Sequence, residues 1–313
     1  MKKFVLLLFL SLVVIYVSFL IVNPKSSEIQ EWEKEQQIPN LTKKQIESWG
    51  YKSLNIKHEK VYKRRIKIAI IDSGIDKSHQ ELKGIVTKEF NAIKPNESIV
   101  DDTGHGTGVA GIIGAKNNGT GIRGVVGSNR LEIYSIKAFE KGTSNIEVIE
   151  RALRWAIDQN VDIINFSAGT SKASVELENL IIEAVNKKII IISAAGNSFN
   201  NHIQFPANQP NVISVGAVNH EYNQVSGTTI KNVDIVGPGL DILTTFPKNR
   251  FGFLSHTSSA TAFVTGIVSN LLSQNSNHYK MKHDEILNIL EENSKVIKLS
   301  NGSKYYFVQE SYR

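Results

Sequence analysis

Cysteine is absent from the 313 residues. That excludes disulfides, thiolate catalysis and cysteine-based zinc sites together. The chain also has no Gly-x-Ser-x-Gly elbow, so an esterase triad in which the acid and histidine follow the serine finds no support. No basic run alternates with aromatic residues along a recognisable module, and nucleic-acid binding is not indicated. Internal repeats and low-complexity tracts are missing too. One sign of charge barely dominates: 36 Lys and Arg against 30 Asp and Glu give +6. The excess is scattered over Lys2-Lys3, Lys43-Lys44 and Lys63-Arg64-Arg65. It reads first as a solvated basic surface and second as an attraction to an anionic membrane or an acidic peptide.

What stands out first is an uncharged apolar run, residues 4–22 (FVLLLFLSLVVIYVSFLIV). As a helix it would be roughly 28 Å long, enough to cross the hydrocarbon of a bilayer. Lys2 and Lys3 precede it, which puts the N-terminus in the cytoplasm and the rest of the chain outside. A cleaved signal peptide ends in a small-x-small exit, whereas this run ends in Val22-Asn23-Pro24-Lys25. A retained single-pass anchor in the cell membrane is therefore expected, with secretion as the outcome if the segment is cut. Without a nearby cysteine a lipoprotein anchor is excluded. The expected organisation is an anchor or signal sequence over 1–22, a polar linker over 23–44 and one domain over 45–313.

Within that domain, short β-branched runs alternate with helical stretches. Ile66–Ile71, Leu131–Ala138, Val161–Phe166, Ile189–Ala194, Val212–Val218 and Val233–Val236 are mostly apolar throughout, as expected of parallel strands covered on both faces. Ser144-Asn145-Ile146-Glu147 reads as a capping box opening a helix with Ile146, Ile149, Leu153 and Ala156 on one face. A second helix is predicted over about Val175–Asn186. The alternation means an α/β domain with a parallel sheet.

In such a sheet, reactive groups gather where strands end at the carboxyl edge, and three places qualify. Asp72 ends the buried run of Ile68-Ala-Ile-Ile-Asp-Ser-Gly-Ile-Asp76. An acid there is costly unless something accepts its charge, although a turn cap is the plainer role for it alone. His105 sits among glycines in Asp101-Asp-Thr-Gly-His-Gly-Thr-Gly-Val-Ala-Gly111, at the start of a predicted helix running through Ala115. Ser258 lies in His256-Thr-Ser-Ser-Ala-Thr-Ala-Phe-Val-Thr-Gly266, at the N-terminus of an apolar helix reaching Leu272. Unpaired N–H groups and the dipole favour developing negative charge there. Each residue singly has a structural reading. Together they form the set in which Asp orients His and His takes a proton from Ser.

With the chain order Asp, His, Ser, these blocks resemble the three signatures of subtilisin-like serine proteases. Ile163-Ile-Asn-Phe-Ser-Ala-Gly169, Ile192-Ser-Ala-Ala-Gly-Asn197 and the stretch from Phe205 to Val218 match as well, so the resemblance covers about Gln45 to Ser294. It implies a three-layer α/β/α fold with a mostly parallel central sheet, here preceded by one transmembrane helix. It implies serine endopeptidase activity through an acyl-enzyme, with Ser258 as nucleophile, His105 as base and then acid, and Asp72 as the orienting carboxylate. Asn197 then donates to the oxyanion. Ser167, Ala168 and Gly169 bind extended substrate backbone, with the segment around Gly142–Ser144 opposite, and Gln204 lines the primary pocket. No acid lines that pocket, so cleavage after Phe, Leu and Gln is expected at comparable rates. No cofactor is implied for catalysis. A structural calcium is, with Gln45, Glu81 and Asn118 as side-chain ligands and carbonyls from the Lys116–Ile122 loop. The expected partners are a peptide or protein substrate and the membrane, with the protein a monomer.

Where the chain departs from the family pattern, His256 stands in place of Gly, Gly108 in place of a second His, Ser259 in place of Met, and Ala262-Phe263 in place of Pro-His. Glu81 replaces an Asp. None of these removes a triad atom, and the alternative reading is a catalytically inactive binding protein of the same fold. Trp49-Gly50 resembles the start of the mature enzymes. The about twenty residues between the apolar run and that point are too few for a folded inhibitory pro-domain. The anchor suits removal of leader peptides from secreted peptide antibiotics, the lantibiotic type, and suits general degradation equally.

Overall fold

A computed structural model describes residues 44–56, 63–127, 130–170, 173–197, 202–274, 280–299 and 302–310, all within one compact unit. The expected anchor and nearly all of the linker lie outside these residues. Among the described residues no helix is long and apolar enough to cross a membrane.

The elements follow in the order α1 (Trp49–Ser53), β1 (Ile66–Asp72), β2 (Val86–Asn91), α2 (His105–Gly114), β3 (Leu131–Lys137), α3 (Ile146–Asp158), β4 (Ile163–Phe166), α4 (Val175–Asn186), β5 (Ile190–Ala194), β6 (Val212–Val218), β7 (Ile235–Pro238), β8 (Ile242–Phe246), β9 (Arg250–Leu254), α5 (His256–Gln274), α6 (His283–Asn293), β10 (Lys295–Lys298) and β11 (Lys304–Phe307). Nine strands form one sheet in the order β10-β11-β7-β6-β5-β4-β1-β3-β2. Every pairing is parallel except β10 with β11, while β8 and β9 form a separate antiparallel hairpin.

Alternation along each buried strand divides the core in two. Ile66, Ile68 and Ile70 join Ile163, Ile190, Ile192, Ile213 and Val215 under α2 and α5. On the other face Ala69 and Ile71 join Tyr134, Ile136, Ile164, Phe166 and Ile191 under α3 and α4. Since side chains point alternately up and down, a strand that is apolar at every position has to be covered on both sides. The result is the expected helix–sheet–helix layering. The six strand runs read from sequence become β1, β3, β4, β5, β6 and β7. The sequence reading did not include β2, the β8–β9 hairpin, α6 or the β10–β11 pair.

One local expectation is corrected. The helix cap at α3 is Asn145, not Ser144: its extended backbone (φ −129°, ψ 169°) aims the side chain at the Val148 amide, 2.9 Å away. The Ser144 hydroxyl instead turns to the Asn145 carbonyl. An Asn at N-cap satisfies the orphan amide as well as Ser does, so the choice depends on backbone conformation.

Candidate active site

β1 delivers Asp72 to the carboxyl edge of the sheet, flanked by β3 and β4. The side chain is 3% exposed. It is compensated in the way that burial of a charge demands: the Ser73 amide donates to Oδ1 at 2.7 Å, and His105 Nδ1 lies 2.7 Å from Oδ1 and 2.9 Å from Oδ2. A carboxylate only accepts, so the imidazole carries a proton on Nδ1 and offers Nε2 as the basic atom.

His105 is the first residue of α2. The helix comes this close because Gly106 faces β1, where an added Cβ would sit 2.1 Å from the Gly74 carbonyl and 3.1 Å from Asp72 Cβ. Gly104 caps the helix in the left-handed conformation (φ +84°) with no side chain to offer. The capping is done by Asp101. Its Oδ1 accepts from the Gly104 amide at 2.9 Å, and its Oδ2 accepts from the Thr107 amide at 2.9 Å and the Thr107 hydroxyl at 2.5 Å.

Ser258 lies in the first turn of α5 and is 5% exposed, its Oγ donating to the Ser167 carbonyl at 2.8 Å. That contact places the hydroxyl at the end of β4, and the Asn165 amide nitrogen reinforces it by donating to Thr265 of α5 at 2.8 Å. Two residues before Ser258, His256 adopts φ +73°, a left-handed conformation unusual for a residue with a Cβ, and donates its amide to Gly239. Burial pushes the His256 imidazole below its ordinary value, and the charge of His105 pushes it the same way. α5 packs against α2, the helix that His105 opens.

Asn197 follows β5. Its Oδ1 accepts from the Thr257 hydroxyl at 2.8 Å and the Thr257 amide at 3.3 Å, which leaves Nδ2 as the group available to donate. Ser167, Ala168 and Gly169 leave β4 beside it. Gln204 lies between the two strand ends, its amide donating to the Ala195 carbonyl at 3.0 Å. Its side chain fills the crevice: a Cβ on Gly169 would lie 2.3 Å from Gln204 Oε1, and one on Gly196 would lie 2.4 Å from the same atom.

Gln45, Glu81 and Asn118 all border the Lys116–Ile122 loop. The Gln45 amide nitrogen donates to the carbonyls of Lys116, Thr120 and Ile122 at 2.6, 3.3 and 3.1 Å. Asn118 Oδ1 accepts from the Thr120 amide and hydroxyl. Glu81 is 1% exposed, and its Oε2 has no hydrogen-bond partner. Burial drives its carboxyl up to about 7 against the opposing Lys116 charge and amide. Convergent carbonyls beside an orphaned carboxylate oxygen are a donor set that suits calcium. One expectation is modified, because Gln45 presents nitrogen rather than oxygen to the carbonyl cluster. Among the described residues no group of three His, Asp or Glu side chains could hold a metal by itself.

Three participants escaped the sequence reading. Ser73 hydroxyl links Asp72 to Asp101. Thr257 orients Asn197. Lys137, 5% exposed at the end of β3, donates to the Ser73 and Phe139 carbonyls at 2.9 and 3.1 Å and to Asp102 Oδ1 at 2.5 Å. Burial pushes the Asp102 carboxyl up, but the bonds from Lys137 and the Lys141 amide outweigh it and hold it below the usual value. A lysine at the buried end of a mostly apolar strand was the available signal for this clamp.

The sequence profile of the Subtilase family matches residues 63–307. A thermophilic serine proteinase from Bacillus sp. (strain AK1) is 36% identical over 218 residues, 69% of this chain and 54% of that protein. Subtilisin from Bacillus pumilus is 31% identical over 253 residues, 77% of this chain and 86% of its own length. Subtilisin DY from Bacillus licheniformis is 32% identical over 243 residues, 76% and 84% of the two chains. The chain thus spans about half of the first relative and more than four-fifths of the other two. The profile covers the sheet, both α2 and α5, and every residue of the Asp72–His105–Ser258 set, and the chain belongs to the Subtilase family of serine endopeptidases.

Proposed function

We propose that this protein hydrolyses internal peptide bonds through Asp72, His105 and Ser258. The observation that carries the reading is the Asp72–His105 pair at 2.7 Å, together with Ser258 held at the end of β4 in the first turn of a helix. Asp72 holds the imidazole so that Nε2 faces outward. A turn of the Ser258 side chain away from the Ser167 carbonyl brings its hydroxyl toward Nε2, which takes the proton as oxygen attacks the scissile carbonyl. The oxygen that becomes negative is met by Asn197 Nδ2 and by the Ser258 amide, one of the first-turn N–H groups that a helix leaves unpaired. His105 then gives the proton to the leaving amine, and water repeats the sequence on the acyl-enzyme. Labelling of Ser258 by a fluorophosphonate, lost in Ser258→Ala and slowed in His105→Ala, is the expected outcome. An unlabelled wild-type protein of native fold would leave only the inactive binding reading.

Substrate backbone runs along Ser167–Gly169. A residue whose carbonyl carbon reaches Ser258 while its oxygen faces Asn197 must direct its side chain between the ends of β4 and β5. Gln204 occupies that crevice, so small side chains are preferred before the cleaved bond. This narrows the expectation of equal rates for Phe, Leu and Gln.

The carbonyls of Lys116, Thr120 and Ile122, with Glu81, Asn118 and a Gln45 side chain turned over to present its amide oxygen, would hold calcium. When bound, the ion supplies positive charge that ties the loop to the segment before α1. The apolar run and the two lysines ahead of it support a single-pass anchor with the catalytic unit on the outer membrane face. There the enzyme would process a secreted peptide precursor as a monomer. Protease accessibility of an epitope at the C-terminus of intact cells tests the location.

A further inference from the structure

The pairing of Asp72 with His105 joins two elements, β1 and α2, with no covalent neighbour in common. A second carboxylate, Asp101, touches neither side chain but bonds to the segments that carry both. Ser73 Oγ has one proton and three neighbours: Asp101 Oδ1 at 2.7 Å, Asp72 Oδ1 at 3.2 Å and the Gly106 amide at 3.0 Å. The Gly106 N–H must donate to it, so the hydroxyl gives its own proton to the nearer carboxylate, Asp101. Asp101 meanwhile accepts from the amides of Thr103, Gly104 and Thr107 and from the Thr107 hydroxyl. Thr107 Oγ1 in turn accepts from the Asp76 amide at 2.9 Å. The loop after β1 and the first turn of α2 are therefore bound to one another through a single side chain.

We propose that Asp101, acting through Ser73, is the positioning residue that fixes the His105 imidazole against Asp72. This rests on the triad reading above. Two consequences follow from the bond pattern. With Asp101 present, the Ser73 proton is drawn away from Asp72, whose Oδ1 lone pair stays directed at His105. Without Asp101, the hydroxyl turns to Asp72, competes for that lone pair and releases the start of α2. Among the described residues, the charged and titratable groups around this junction are Asp72 on β1, bonded to the His105 ring, Asp101 ahead of α2, bonded to the Gly104 and Thr107 amides on either side of His105, and His256 on α5; Lys137 of β3, paired with Asp102, donates to the Ser73 carbonyl.

The test compares wild type, Asp101→Ala, Ser73→Ala and the double variant on one peptide substrate. Enzyme is counted by active-site titration, and kcat/KM is followed through its acid limb. Ser73→Ala keeps every bond from Asp101 to the helix amides and changes no charge, so it stays informative if Asp101→Ala does not fold. For both single variants we expect kcat to fall about tenfold to a hundredfold, the scale of an ångström-sized misplacement, with KM nearly constant. The acid limb moves to lower pH in Asp101→Ala, where the freed Ser73 hydroxyl competes for the Asp72 lone pair and the imidazolium is stabilised less, and keeps its place in Ser73→Ala, which has no hydroxyl to compete. The double variant falls no further than the worse single one, as coupled residues should. Unchanged kcat per active site, a fixed acid limb in Asp101→Ala with only a lowered melting temperature, or multiplicative losses in the double variant would overturn the proposal. Failure of the wild type itself to react with a fluorophosphonate would instead overturn the triad reading.

Discussion

Replacing Gln204 with Gly tests how the crevice beside Ser258 is filled. The Gln204 side chain reaches across from the β5 side so that its Oε1 stands 2.3 and 2.4 Å from where side chains on Gly169 and Gly196 would begin. Two methylenes and an amide therefore occupy the space that a large substrate side chain would need. One methylene more or less in a binding pocket is worth about 1–3 kcal/mol, or roughly 10–200-fold in kcat/KM. Removing the whole side chain should thus raise the preference for Phe over Ala before the cleaved bond on the order of 10²-fold. The kcat for the Ala substrate should hardly change, since Gln204 touches none of the groups that move protons. The assay is kcat/KM on peptide pairs differing only at that residue, for wild type and Gln204→Gly. An unaltered Phe/Ala ratio, or a wild type that already cleaves after Phe as fast as after Ala, would refute the reasoning.

Asn197→Ala removes one of the two proposed oxyanion donors, and kcat should fall by about 10²–10³ with little change in KM, the magnitude known for the equivalent loss in subtilisin. Lys137→Met strands Asp102 and two carbonyls. The charge left behind, Asp102, is exposed, so the loss should fall below the cost of breaking a fully buried pair and come to about 1–3 kcal/mol for the two carbonyls left unpaired, read by urea denaturation. The Asp102 carboxyl is depressed in the fold, so its contribution is present above its ordinary value of 3.8 and is lost as pH falls through the folded value. Stability of wild type should therefore drop on acidification below about pH 4 more steeply than that of Lys137→Met. Chelation of calcium should lower the melting temperature, and Glu81→Gln should weaken that response; identical melts with and without chelator would remove the calcium proposal.

Most of the layered fold was legible because parallel strands buried on both faces have to be apolar at successive positions, as in Ile68–Ile71 and Ile189–Ile192. The short strands Val86–Asn91 and Lys304–Phe307 were not legible. Their half-exposed, charged sequences lack that pattern, and neighbouring strands rather than local propensity hold them in the sheet. Asp72, His105 and Ser258 could be read because each sits in a local context with its own signature: the end of a buried strand, a glycine-lined helix start, and a small-residue helix N-terminus.

What the sequence alone determined was thus the layering and the choice of the proposed reacting groups, both written in local patterns of polarity and glycine. The tertiary structure decided which groups serve them. Asp101 meets Asp72 only through Ser73, Lys137 reaches Ser73 because β3 lies beside β1 in register, and Gln204 fills a gap that exists only where β4 and β5 end side by side. Contacts of this kind are set by strand order and helix approach, distances that no stretch of the chain carries within itself.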